Sequence, residues 1–291
     1  MKNILVLALL ATGLPGCQTN PVTGRTQLML VSEDSAIVAS KDAYVAMLKP
    51  VAEKGKLNND AALKARVDRI TGRLVAQAIK YRPETEAWEW SVEVIDDPKT
   101  VNAWCMAGGR MAIYTGLVQK VRPTDDELAQ VMGHEISHAL AKHTAEKMSR
   151  ALALQFGVTA LAVSQRDNPS AGIAVQGAAL AAVVALELPN SREAETEADR
   201  IGIELAAKAG YNPQAAVTLW QKMAEVGGGG KSRFDFLSTH PAPAKRMETL
   251  AALVPQMMPY YEDPAPRPTY HLKPTKLTGN LAPLPLSGKG A

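Results

Sequence analysis

A chain of 291 residues, 46% hydrophobic and 21% charged, is long enough for one large domain or two small ones and has an ordinary globular make-up. Its 32 basic and 29 acidic residues leave a net charge of +3, and no dense basic cluster stands out. That balance argues against nucleic acid as a partner.

The first stretch does not belong to a fold. Lys2 precedes an apolar run from Ile4 to Leu14, and small residues then lead to a cysteine in Leu14-Pro15-Gly16-Cys17. The run is too short for a membrane-spanning helix. It resembles a bacterial lipoprotein signal, with Pro15 unusual for that motif. The resemblance implies removal of residues 1–16, lipid attachment to Cys17 and firm anchoring through more than one acyl chain. Gln18 rather than Asp after the cysteine implies the outer membrane of a Gram-negative bacterium, facing the periplasm. The competing reading is an ordinary secretory signal with an incidental cysteine. If Cys17 carries lipid, Cys105 has no partner and no internal disulfide forms.

Residues 17–31 contain the turn-rich Asn20-Pro21-Val22-Thr23-Gly24-Arg25-Thr26 and read as a tether. Ser32 caps a helix through about Leu48, with Glu33 and Asp34 in its first turn, and Pro50 and Gly55 break it. A second helix runs from about Asp60 to Ala78 on Leu63, Val67, Ile70 and Leu74. Residues 88–95 alternate and predict a half-buried strand. Val101–Met106 and Arg110–Thr115 predict two more strands around Ala107-Gly108-Gly109. Thr124 and Glu127 form a capping box before a helix that carries Leu128, Val131 and Met132 and runs on past Lys147. Residues 151–188 are apolar with a polar break at Ser164–Ser170; they read as a helical hairpin packed on that helix, too short in each arm for a clean membrane span. A helix begins at Asn190 or Ser191 and ends at Lys208-Ala209-Gly210. Asn212-Pro213 starts the next, to about Val226. Gly227–Gly230 is a flexible break, and a last helix follows Phe234–Pro241 and ends at about Leu253. Residues 255–291 are Pro-rich and read as an extended or disordered tail. The main domain is thus 32–254, of α+β class and mainly α, with a small three-stranded sheet.

Within the capped helix stands His134-Glu135-Ile136-Ser137-His138. Positions i and i+4 share a helix face, so His134 and His138 can grip one metal ion, and Glu135 can act as general base. Such a motif arises by chance in roughly one chain in a hundred, so the third ligand matters. A metzincin continuation fails: no glycine stands at the required place, and His143 comes one residue early. Glu195-Thr196-Glu197-Ala198-Asp199 offers a glutamate ligand, with Asp199 one turn on to hold a ligand imidazole. A solvated acidic helix start is the competing reading of that segment. His143 reads as structural.

Taken in order, His134–His138, Ser191–Asp199 and Ser238-Thr239-His240-Pro241 resemble the CAAX-prenyl-protease and HtpX-like zinc metallopeptidases. The soluble bacterial branch of periplasmic, often lipidated proteases is nearest. Asn20–Arg25, Val101–Trp104, Gly108-Gly109 and Gly116-Leu117 extend the likeness from about residue 20 to 250, while Ala107 replaces a common proline. The resemblance implies a zincin-like core and one zinc per chain on His134, His138 and Glu195, with Asp199 in support. It implies that His240 and Arg246 approach the metal as oxyanion-stabilising groups, or that His240 plugs the open position. A peptide would add as a strand along Asn102, Ala103 and Trp104, a mode suited to unfolded protein. The expectation is an envelope endopeptidase for unfolded or misassembled proteins. The alternative is a chaperone for outer-membrane proteins, working with their assembly machinery, in which hydrolysis is secondary. A structural lipoprotein with a vestigial site is a third reading.

Overall fold

The computed structural model describes residues 16–20, 22–163, 189–227, 235–240, 245–275 and 277. At the centre lies α4 (Asp125–Leu140), whose start is built as the sequence predicts: the Thr124 hydroxyl accepts from Glu127 N, and the Glu127 carboxylate accepts from Thr124 N. Such a cap contributes about 1 kcal/mol. From Glu127 to Leu140 every residue of α4 is buried, because neighbours close on it from all sides. These are α2 (Ala61–Tyr81), the strand β4 (Ala103–Met106), α6 (Arg192–Lys208) and α7 (Ala215–Gly227).

The tightest of these contacts is the crossing of α4 with α6. It requires two glycines: a Cβ on Gly133 would sit 2.9 Å from Gly202 O, and one on Gly202 would sit 2.9 Å from His134 N. The backbones therefore meet directly, which fixes the spacing between side chains on the two helices.

Three strands lie beside α4: β3 (Ser91–Ile95), β4 and β5 (Arg110–Tyr114, followed at once by the short helix α3, Thr115–Val121), in the order β3-β5-β4. β3 runs parallel to β5, pairing Ser91 with Arg110 and Ile95 with Tyr114; β4 is antiparallel to β5, pairing Ala103 with Ile113 and Met106 with Arg110. The β4–β5 turn places Gly108 and Gly109 at φ +84° and +80°, the left-handed pair of a tight hairpin. The half-buried β3 expected from alternation is corrected: all five residues are buried. One face joins the α2 and α4 core through Val92 and Val94, and the other is covered by α1 (Glu33–Glu53), so alternation does not report exposure here.

Other boundaries also move. α1 runs through Pro50 to Glu53 rather than ending near Leu48. The predicted tether is a two-stranded hairpin of β1 (Cys17–Thr19) and β2 (Thr26–Leu28), with Asn20 and Gln27 buried. The continuous helix past Lys147 is corrected: the chain breaks at Ala141 and Lys142, the latter at φ +58°, before α5 (His143–Val163). The freed carbonyls at the end of α4 find side-chain donors. Ala141 O accepts from Asn20 Nδ2 at 2.6 Å and Gln27 Nε2 at 2.9 Å, and Leu140 O from Arg82 Nη1 at 3.0 Å. Residues 164–188, the turn and second arm of the expected apolar hairpin, lie outside the described residues, as does Gly228–Gly230. No described helix is long and apolar enough to cross a membrane.

A short helix α8 (Asp235–Thr239) and then α9 (Arg246–Glu262) complete the body. α9 continues past Leu253 through Pro255 and Pro259, both exposed, with Leu250 and Met257 buried on the α6 side. The extended or disordered tail begins later than Pro255: helix runs to Glu262, and residues 263–275 are extended and bonded to the body. Arg267 donates to Lys208 O at 2.9 Å, Tyr270 N to Gly72 O at 2.9 Å and Lys273 N to Trp90 O at 2.8 Å, so the segment straps α2 and the sheet.

Candidate metal centre

One turn of α4 separates His134 from His138, and both side chains leave on the face that meets α6. On α6 the side chain of Ser191 caps the first turn by accepting from Ala194 N, and Glu195 follows in that turn, wholly buried. The Gly133–Gly202 crossing brings these groups to one point. His134 Nε2 lies 3.0 Å from His138 Nε2, and the two Glu195 oxygens lie 3.4 and 3.3 Å from the respective nitrogens. A tetrahedral zinc with ligands at about 2.0–2.1 Å sets its donor atoms about 3.3 Å apart, so the triad has the required spacing. His240 Nε2 lies 3.3 Å from Glu135 Oε1, and one donor atom from each of His134, His138, Glu195 and His240 falls within a 4.8 Å group.

Hydrogen bonds behind the rings orient them. His134 Nδ1 faces Asp199 Oδ1 at 2.9 Å, and the carboxylate can only accept, so Nδ1 carries the proton. His240 Nδ1 faces Phe236 O at 3.1 Å, which fixes its tautomer in the same way. His138 Nδ1 lies 2.8 Å from His143 Nδ1, and His143 Nε2 lies 2.9 Å from Glu197 Oε2. His143 therefore donates to Glu197 and accepts from His138. All three site histidines keep Nε2 for the shared point. Two imidazole nitrogens 3.0 Å apart need a proton or a cation between them, beside a carboxylate that also demands positive charge. Burial opposes a charged His134, yet Glu195 and Asp199 hold its pKa up at about 9. His138, buried beside it, is pushed well below the ordinary value. Burial raises Glu195, but His134 and His138 outweigh it and keep it ionised. The donor set thus fits a divalent cation.

One predicted role shifts. Asp199 Oδ1 accepts from His134 Nδ1. Arg246 was expected at the metal as an oxyanion donor, and this is corrected: it lies behind the ligands. It donates to Glu195 Oε2 at 3.1 Å and to Asp199 Oδ1 at 2.5 Å, and its guanidinium stacks 3.6 Å from the Trp220 ring centroid. The residue opens α9, and the packing of that helix on α6 aims it at the carboxylates and away from the groove.

The groove itself, about 570 Å³, opens on the other side of the triad, and Glu135, His138 and His240 line it. So do Asn102, Ala103 and Trp104, because β4 pairs with β5 on one edge only among the described strands. Glu135 is buried, which is the main cause of its pKa rising to about 8. Sequence reasoning missed three groups here. Asn190 Nδ2 donates to Glu195 Oε1 at 2.7 Å. Lys147 lines the groove, its pKa lowered by burial to about 8. His143 backs His138. The first two carry no spacing signal, and His143 becomes visible only once the helix break at Lys142 is known. Cys17 is exposed on β1 and Cys105 is buried; of the signal peptide expected over residues 1–16, residues 1–15 lie outside the described residues.

Comparison with known proteins agrees with this geometry. A model described as Peptidase family M48 matches residues 61–254. A mitochondrial metalloendopeptidase OMA1 of Arabidopsis thaliana is 38% identical over 166 residues, covering 57% of this chain and 32% of the relative. The Bos taurus metalloendopeptidase OMA1 is 32% identical over 252 residues, covering 83% of this chain and 46% of the relative. A Yersinia pestis beta-barrel assembly-enhancing protease is 28% identical over 251 residues, covering 85% and 49%. The chain therefore spans half or less of these relatives' lengths.

Proposed function

The chain belongs to peptidase family M48, and from that premise we propose that it is a zinc-dependent endopeptidase, held by lipid on Cys17 at the periplasmic face of an outer membrane, that hydrolyses unfolded or misassembled envelope proteins. One observation carries the catalytic part: the Glu135 carboxylate and the convergent His134, His138 and Glu195 atoms meet at the end of a groove edged by a strand. The metal when bound supplies Lewis acidity, polarising a carbonyl and lowering the pKa of water towards about 7.

The chain's own groups supply the rest. Backbone groups at Asn102–Trp104, on the edge of β4 that no described strand pairs, bond to an extended peptide and lay it across the groove. Folded domains have no free strand to offer, so this mode selects unfolded segments. Glu135 takes a proton from the attacking water and passes it to the leaving amine, and its burial gives the ionised carboxylate a higher proton affinity than an exposed one has. His240, 3.3 Å from Glu135 Oε1, faces the reacting carbonyl; burial lowers its pKa to about 3, so its Nε2 is a bare lone pair and would serve as a further metal ligand in a resting state before it served as an oxyanion donor. Asp199 and Arg246 keep His134 and Glu195 in place.

Glu135→Gln tests the chemistry. It should retain one equivalent of zinc and lose about 10²–10⁴-fold in turnover of an unfolded protein; unchanged turnover would remove Glu135 as the base. Absence of both zinc and turnover in the wild type would sink the whole reading. Cys17→Ala should move the chain from the membrane fraction to the soluble fraction, and an unchanged distribution would refute the lipid anchor. A second reading, assembly factor for outer-membrane proteins, draws on the name of the Yersinia relative and on the same open strand edge. Retention of holdase activity in a zinc-free His134→Ala variant would favour it.

A further inference from the structure

The hairpin of β1 and β2 packs where it can reach the ligands. Arg25 Nη1 and Nη2 grip Glu146 at 2.8 and 2.6 Å, and Arg25 Nε donates to Glu197 Oε1 at 2.9 Å. Gln27 also donates to Glu146 at 2.9 Å, and Asn20 and Gln27 cap the end of α4. From Glu197 the bonding continues through His143 to His138. Each donor finds an acceptor in one direction only: His138 Nδ1–H to His143 Nδ1, His143 Nε2–H to Glu197, and Arg25 Nε–H to Glu197. The reverse direction would require a proton on a carboxylate that Arg25 already pairs.

We infer that His143, Glu197 and Arg25 are positioning residues: a hydrogen-bonded chain that fixes the tautomer and ring plane of His138 and makes the hairpin at Arg25 a working part of the metal site. The inference rests on the metallopeptidase reading of that site. It assigns a task to a segment whose sequence reads as a tether and to a histidine that reads as structural. Groups that hold a ligand imidazole from behind commonly govern metal affinity by 10–100-fold. Here the last such group is supplied from more than a hundred residues away in sequence.

The test compares conservative and non-conservative replacements in the full chain, reading zinc release to a chelator and the visible spectrum of the cobalt-substituted protein. His143→Leu keeps an apolar filler and loses both bonds; it should release zinc roughly 10–100-fold faster and alter the cobalt spectrum. His143→Gln can accept from His138 and donate to Glu197, so it should recover part of that loss. Arg25→Ala should accelerate release by less than about tenfold, being one bond further out, and Arg25→Lys should restore it in part. If Arg25→Ala does not fold, the His143 pair still decides. Wild-type release rates in both His143 variants, or equal acceleration in Leu and Gln, would show that the position only packs and would overturn the chain. A wild type that holds no zinc would take down the metallopeptidase reading itself, a distinguishable result.

Discussion

His134 and His138 leave one face of one helix and arrive at one point, yet they are held in opposite manners. Behind His134 stands a carboxylate in direct contact, Asp199, with Arg246 beyond it and the Trp220 ring against that guanidinium. Behind His138 stands a neutral imidazole, His143, and only then a carboxylate, Glu197, with Arg25 beyond it. Each ligand thus ends in an acid–arginine pair, but the arginine of one pair opens α9 and that of the other comes from the β1–β2 hairpin. The pKa values follow the difference: Glu195 and Asp199 overcome burial at His134 and hold it at about 9, while burial prevails at His138 and keeps it neutral. A carboxylate in direct contact makes a basic, firmly oriented ligand. An intervening imidazole makes a less basic one whose orientation depends on several elements packing together.

Glu195→Ala should have the largest effect, because Glu195 faces both histidines and both sides lose at once. Stoichiometric zinc should be lost on dialysis. Stability should fall as well, since Arg246 loses one of its two buried partners; breaking such a pair costs about 3–5 kcal/mol, here towards the lower end because Asp199 remains. One retained equivalent of zinc would remove Glu195 from the ligand set. Asp199→Asn comes next and separates the two sides. It should weaken zinc binding about 10–100-fold, more than His143→Gln does, because the carboxylate touches the ligand directly. The reverse order would show that the groove side governs affinity.

The asymmetry also explains what could be read in the sequence. Asp199 was legible because Glu195 and Asp199 share the i, i+4 spacing of the two histidines, and helix geometry converts spacing into a shared face. The capping box at Thr124, the glycine pair of the β4–β5 turn and the stop at Gly210 were legible for the same local reason. His143 was not. On a continuous helix it would point roughly 140° away from His138; the left-handed Lys142 turns it back. Arg246 was placed at the metal, but only the docking of α9 on α6 shows that its guanidinium aims at the carboxylates from behind. Pro50 looked like a stop and the chain from Pro255 like a tail because proline costs an interior helix bond, yet the packing of Leu48 in α1 and of Met257 in α9 carries each helix through.

Gly202→Ala probes what the two sides share. Its methyl would sit 2.9 Å from His134 N, so α6 must move away from α4 and carry Glu195 and Asp199 with it. Overpacking of this kind costs about 1–3 kcal/mol in melting experiments. Zinc release should quicken as well, because the ligand atoms separate. A variant with wild-type stability and zinc retention would mean that the crossing adjusts freely and does not set the ligand spacing.

The smallest effect isolates the outer carboxylate of the His138 side. Burial alone would raise Glu197, but the His143 N–H and Arg25 outweigh it and lower its pKa from 4.5 to about 2. His143 is itself lowered by burial, so the two meet as a neutral donor and an ionised acceptor, and Arg25 supplies the balancing charge. A carboxylate depressed on folding contributes stability that is fully present above its unfolded value and is lost as pH falls through the folded one. The stability difference between wild type and Glu197→Gln should therefore be constant from neutral pH down to about pH 5, shrink between 4.5 and 2, and vanish below. Melting temperatures across that range read it directly. A difference that persists undiminished at the acid end would show that Glu197 acts by shape alone, and that the charge on Arg25 is not what anchors the hairpin to the His138 side.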